Sequence, residues 1–253
     1  MRIISEEETH RVLAAALSPG DDVLIHASLS ALGTFEPGPE AIIDALFAAV
    51  GQAGTVIMMT ATRSFAKTGR FSVDQPSETG LLTEKFRQRP GVRRSVVPMV
   101  SFAAAGARAS EYLQAYHSHL DSSAPMTRLL ENDGKILMFG LSYNYCTLYH
   151  LSEERHASAY NFYKTFEGYL VEADREIAAI SQRYFVRKDM SVAKNCSIAG
   201  QMLEQRGQVT MHTLGNGMVR ACRARDFDAC CMEALATDPD AFLDKSPVLQ
   251  EPL

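Results

Sequence analysis

Gly134-Lys135-Ile136-Leu137-Met138-Phe139-Gly140-Leu141-Ser142-Tyr143-Asn144-Tyr145-Cys146-Thr147-Leu148-Tyr149-His150-Leu151-Ser152-Glu153-Glu154-Arg155 is the stretch on which the rest of the chain depends. It follows the turn Asn132-Asp133-Gly134, and residues 136–139 form a short apolar run that reads as a buried strand. A polar and aromatic loop comes next, then a helix for which Thr147 is the expected N-cap. On that helix His150 and Glu153 are spaced i, i+3, so their side chains can share one face and meet. A strand end, a loop and a helix carrying a His–carboxylate pair is a common setting for proton transfer. Spacing alone leaves two alternatives open: Glu154 as the partner of His150, and a solvated surface pair with no chemistry.

Outward from this stretch, apolar strands alternate with amphipathic helices. Strands are expected at residues 22–26, 55–60, 168–171, 183–187 and 209–213, with a broken one at 96–100, where Pro98 suits an edge. Helices are expected at 5–16, 39–50, 81–88, 111–116, 126–131, 197–205 and 226–236, the first with Ser5 and Glu8 in capping-box spacing. Residues 65–79 have the composition of a loop, and 102–109 read as a small-residue segment. This order predicts an α/β fold, a three-layer sandwich with a central mixed sheet flanked by helices, in one domain over residues 1–253.

A net charge of −5 over 253 residues argues against general binding to nucleic acid or anionic membranes. No stretch approaches the roughly 20 apolar residues of a membrane span, and residues 1–20 lack the plan of a signal peptide. The five cysteines show no CxxC spacing, so free buried thiols in a reducing cytoplasm are the expectation. There is no GxGxxG, GxxxxGK[ST] or GxSxG, which argues against dinucleotide, P-loop and serine-hydrolase readings. His117, His119 and Asp121 have ligand-like spacing but no further partner set, so no metal is expected.

Several segments together resemble the aminoglycoside 3-N-acetyltransferase family. Residues 19–33, with Gly20-Asp21 and His26-Ala27-Ser28-Leu29 through Gly33, look like its GD…HxSLxxxG opening. Residues 54–60 are similar to its GT strand; Phe86-Arg87, Pro90-Gly91, Arg93-Arg94-Ser95, Pro98 and Ser101 follow its FRxxPGxxRSxHPxxS segment. Asp133-Gly134-Lys135 with Leu137 and Gly140 matches DGKxLxxG, and Thr147 to Glu153 matches TxxHxxE. The resemblance implies acyl transfer from a coenzyme A thioester, acetyl-CoA or a longer acyl-CoA, to a small-molecule amine. That amine would be an amino sugar, an aminoglycoside or a nucleotide-linked amino sugar. It further implies that His150 is the base and Glu153 its support, and that Ser28, Leu29, Arg93, Arg94 and Ser95 lie beside the cofactor.

Two positions depart from the pattern. Val97 stands where the family has His, which implies a lost polar contact and a more apolar acyl pocket; Cys146 stands where it has Asn. Asp121, Tyr143, Asn144 and Glu154 are the expected contacts to the acceptor. Two rival readings are a thioester hydrolase using the same histidine and a catalytically degenerate binding protein.

Overall fold

The computed structural model describes residues 2–36 and 38–244. In chain order the early strands are β1 (Ile3–Ile4), β2 (Asp22–Ala27), β3 (Thr34–Phe35), β4 (Thr55–Met59), β5 (Arg70–Phe71) and β6 (Arg93–Arg94). The later ones are β7 (Phe102–Gly106), β8 (Lys135–Phe139), β9 (Asn161–Glu172), β10 (Arg175–Arg187), β11 (Val209–Leu214) and β12 (Gly217–Arg223). The helices are α1 (Glu6–Ala16), α2 (Leu29–Leu32), α3 (Pro39–Val50), α4 (Phe65–Thr68) and α5 (Leu81–Arg87). After them come α6 (Pro125–Glu131), α7 (Tyr149–His156), α8 (Ser197–Gln205) and α9 (Ala224–Thr237).

Seven strands form one mixed sheet in the order β11-β12-β8-β2-β4-β7-β6. Its centre, β8-β2-β4, is parallel, and the strands outside it pair antiparallel. Period-two alternation divides the side chains between two cores. Val23, Ile25, Val56, Met58, Leu137 and Phe139 face α1, α3 and α5 on one side. Leu24, Ile57, Ile136, Met138 and Phe102 face α6, α7, α8 and α9 on the other. With helices on both faces, the central strands can be apolar throughout, and that is how they read in the sequence. The fold is the expected α/β arrangement, a mixed central sheet flanked by helices; the span expected for one domain, 1–253, extends past the described residues at both ends.

Helix α1 starts as its capping box predicts, with the Ser5 hydroxyl accepting from the Glu8 N–H at 3.1 Å. Three readings are corrected. Thr147 is not the N-cap of α7: the helix begins at Tyr149 after a turn, and the Thr147 hydroxyl lies 3.5 Å from His26 Nε2 instead. Residues 96–100 form no strand; the strand is β7, whose alanines pair with β4 despite low β propensity because the sheet buries them on both faces. Strand β12 was not anticipated, since its two arginines dilute an otherwise apolar run, yet it joins β8 to β11.

Beyond the sheet, β9 and β10 form a long antiparallel hairpin joined to β5. Its return end brings Tyr184, Phe185 and Val186 back over the sheet's edge. All five cysteines are free and buried. Among the described residues no helix is long and apolar enough to cross a membrane.

Candidate active site

Because β2, β4 and β8 are parallel, their carboxyl ends (Ala27, Met59 and Phe139) emerge at one edge of the sheet. That edge is where open α/β sheets form ligand crevices. Three adjoining cavities lie there, of about 350, 230 and 520 Å³. Met59, Arg63, Thr147 and His150 line both the first and the second. Ala27, Thr79, Thr83, Leu141 and Tyr145 line both the first and the third. The result is one groove with His150 near its middle. Gly140, in the left-handed region at φ +78°, lets the chain leave β8 beside α2; a Cβ there would sit 2.6 Å from the Ser28 carbonyl oxygen.

His150 projects from the first turn of α7 with 37% of its side chain exposed to the groove. Its Nδ1 lies 3.2 Å from Glu153 Oε2, which identifies Glu153 rather than Glu154 as the carboxylate partner. The Glu153 side chain is only 1% exposed; Tyr160 donates its hydroxyl to Oε1 at 2.7 Å, and Lys194 forms an ion pair with the same oxygen. Lys194 is itself caged by the rings of Tyr149 and Tyr160, at 5.3 and 4.6 Å from their centroids. Burial holds the Lys194 ammonium down to about 8. Thus the carboxylate is countered by a cation, and the imidazole stays neutral. Burial first, then the Lys194 and Arg187 charges, push the His150 pKa below its ordinary 6.5. Water in the groove moderates that shift, because the ring is partly exposed.

Two further histidines flank it. His26, at the end of β2, is buried against Thr147 and held down to about 4 by desolvation. The His119 ring lies 6.3 Å from that of His150, and its Nδ1 has no partner among the described residues. Burial, then the neighbouring His150, hold His119 to about 3.

The expected contacts divide. Ser28 and Leu29 line the third cavity, and the Ser28 hydroxyl makes no cap bond to α2. Arg93, Arg94 and Ser95 are not among the residues that line the three cavities. Arg94 spends its guanidinium on the Thr60, Val73 and Gln75 carbonyls and the Ser101 hydroxyl, so it ties four segments of this chain together. The Ser95 hydroxyl accepts the Phe102 N–H, and Arg93 is an exposed residue of the edge strand β6. Both Arg94 and Ser95 thus spend hydrogen bonds on other segments of this chain. Arg87 and Arg89 are likewise paired, with Glu84 and with Glu40 and Asp44.

Among the expected acceptor contacts, Tyr143 is a core residue. Its ring packs on Gly200, where a Cβ would come within 1.9 Å, and its hydroxyl donates to Glu204. Glu154, 4% exposed, is saturated by the Ser118 and Tyr163 hydroxyls and the His119 N–H. Asp121 caps its own loop by accepting from the His117 and Ser118 N–H groups. Asn144 lines the groove while its carbonyl oxygen accepts from the Cys196 N–H. Val97 is buried with Tyr116 and Ala124 rather than on a cavity wall. Cys146 is fully buried in the core. Sequence reasoning passed over Arg63 and Lys194. Neither carries a motif, and only the hint that β4 ends in a hydroxyl-rich loop pointed toward Arg63.

The model of the family described as aminoglycoside 3-N-acetyltransferase matches residues 24–236. Aminoglycoside N(3)-acetyltransferase IV from Salmonella sp is 26% identical over 245 residues, covering 92% of this chain and 87% of the relative. Aminoglycoside N(3)-acetyltransferase VII from Streptomyces paromomycinus is 34% identical over 164 residues, 55% of this chain and 56% of the relative. Among solved structures, the apoenzyme of aminoglycoside acetyltransferase AAC(3)-IVa superposes with a TM-score of 0.78 at 25% identity, over 96% of this chain and 93% of that one. AAC-IIIb, solved as a binary complex with CoASH, shares the fold with a TM-score of 0.80 at 24% identity, over 93% of this chain and 97% of the other. A single groove at the carboxyl edge of the sheet, a histidine backed by a buried carboxylate and a family match across most of the chain converge on one conclusion: this protein belongs to the aminoglycoside 3-N-acetyltransferase family of N-acyltransferases.

Proposed function

We propose that the protein transfers the acetyl group of acetyl-CoA to an amine of an amino sugar, with His150 as the general base and Glu153 as its support. The aminoglycosides named for the relatives belong to that acceptor class, and the solved relative with CoASH supports the donor. The observation that carries the reading is the 3.2 Å contact between His150 Nδ1 and Glu153 Oε2, with the ring facing the junction of the cavities.

Aminolysis of a thioester requires a neutral amine, whereas sugar amines are largely protonated near neutral pH. With Nδ1–H donating to Glu153, the His150 Nε2 lone pair is left free for the groove. The amine nitrogen attacks the thioester carbonyl while Nε2 takes its proton; collapse breaks the C–S bond and releases the thiol, which recovers a proton from the imidazolium. Glu153 stabilises the transient imidazolium, and Lys194 and Tyr160 hold Glu153 in position.

Ser28 and Leu29, at the wall of the third cavity, suit the thioester arm, and Asn144 and Tyr145 edge the groove where the donor and acceptor meet. In the described residues one side chain faces the junction with both a free ring nitrogen and a buried carboxylate behind it, and that is His150. Replacing His150 by Ala is expected to lower kcat/KM by about 10²–10⁴-fold, the usual reach of a general base. Acetyl-CoA binding, followed by calorimetry, should persist. Retained transfer in that variant, or thiol release that does not depend on an amine, would remove the proposal.

A further inference from the structure

Arg63 is the cation at the junction of the groove. It follows β4 in a segment pinned by the Thr62 N–H to the Met99 carbonyl and by the Glu78 N–H to the Ala61 carbonyl. Its exposed side chain lines both the first and the second cavity, as His150 does. The guanidinium makes no hydrogen bond or salt bridge to a described residue. The nearby Glu78 feels its charge, but both Glu78 oxygens already accept the Ser64 N–H at 3.2 Å.

The walls around Arg63 are poor in anions. The second cavity is lined by Met59, Met99 and Met126 with His119 and Tyr184, and by no carboxylate. Glu78 is the single carboxylate lining the first, and the third has none. The other acids near His150 are spent: Glu153 on Lys194 and Tyr160, Glu154 on the 117–121 loop and Tyr163, and Asp121 on its own backbone cap. Lys194 and Arg187 add positive charge behind the base. A polycation entering this groove would find one engaged carboxylate and, beside His150, the like charge of Arg63. Like-charge juxtaposition rejects a ligand as effectively as missing contacts do.

We infer that the acceptor is a monoamine carrying an anionic group, a carboxylate or a phosphate, which pairs with Arg63 while its amine meets His150. The inference rests on the acyl-transfer reading and deepens it. A guanidinium free of partners among the described residues and placed beside the base supplies the bidentate donor geometry that carboxylate and phosphate oxygens accept. The methionine-lined cavity takes the apolar flank of the acceptor.

The test is acetyl-CoA-dependent thiol release with four acceptors: 2-amino-2-deoxyglucose, its 6-phosphate, the corresponding 2-amino-2-deoxyuronic acid, and gentamicin. At least one anionic monoamine is expected to exceed the neutral sugar in kcat/KM by about tenfold, with gentamicin poorest, and which anion leads distinguishes phosphate from carboxylate. Arg63→Gln should cut the anionic-to-neutral ratio by about tenfold, and Arg63→Lys should retain part of it. Gentamicin as the best acceptor, or a ratio unchanged by Arg63→Gln in a variant that melts like the parent, overturns the inference and leaves acyl transfer standing. No release with any amine, although acetyl-CoA binds, overturns the acyl-transfer reading itself.

Discussion

Glu153 and Glu154 are adjacent on α7, both almost entirely buried, and they serve different partners. Glu153 stands behind His150 and shares its charge among a histidine, a tyrosine and a buried lysine. Glu154, about 100° further round the helix, anchors the 117–121 loop and the hairpin through two hydroxyls and one backbone N–H. Burial of a carboxylate therefore does not by itself mark a catalytic group. What separates them is the partner set: three neutral donors complete Glu154, whereas Glu153 backs a titratable ring that opens onto a cavity.

The sharpest way to break that contrast is Glu153→Gln. It leaves the Lys194 ammonium buried without a counter-charge, and losing one member of a buried pair costs about 3–5 kcal/mol. The melting temperature should fall and transfer should drop with it. In the double variant Glu153→Gln with Lys194→Met, stability should recover while kcat/KM stays low. Recovery of both would make Glu153 a purely structural partner of Lys194.

Acid stability comes next. His26 and His119 are buried and neutral, with pKa values near 4 and 3 against 6.5 in the unfolded chain. Above pH 6.5 neither folded nor unfolded chain holds the extra protons. Below it the unfolded chain takes them up first, so stability falls as pH drops from 6.5 toward 4. The limiting slope is about 1.4 kcal/mol per pH unit for each histidine, or about 2.7 for the two together. Urea midpoints between pH 7 and 4.5 measure this, and His119→Phe should remove one histidine's share of the limiting slope, about 1.4 kcal/mol per pH unit; an unchanged slope would mean His119 is protonated in the fold.

Glu154→Gln is the mildest probe. The amide keeps one acceptor but sets an N–H₂ against a donor, which costs about 1–3 kcal/mol. The melting temperature should fall while kcat/KM in the remaining folded protein changes little. A loss of transfer as deep as that of Glu153→Gln would erase the distinction between the two carboxylates.

Local patterns were legible where a single element decides its own form. Helix α3 and helix α8 have the bounds their periodicity and end residues predict, and His150 and Glu153 meet because i, i+3 spacing on a helix brings side chains together. Less legible are the partners that a side chain finds in distant segments. The family resemblance implies that Arg93 and Arg94 lie beside the cofactor. In the fold Arg94 serves three carbonyls in two other segments, and Arg87 and Arg89 pair with acids on α5 and α3. Tyr143 looked like a wall for the acceptor because it precedes the histidine, but the missing side chain at Gly200 admits its ring to the core.

From its sequence alone this protein's alternating strands and helices, its family motifs and the His150–Glu153 pair could be determined, because each depends on spacing within one segment or on apolar periodicity. Only the tertiary structure decided that Lys194 counters Glu153, that His119 stacks near His150 and that Arg63, unpaired among the described residues, stands at the same junction. Those side chains come from four separate stretches of the chain. Their charges act on one another only after three parallel strands end at one edge and the hairpin folds over it, where burial lowers the local dielectric and makes each charge matter.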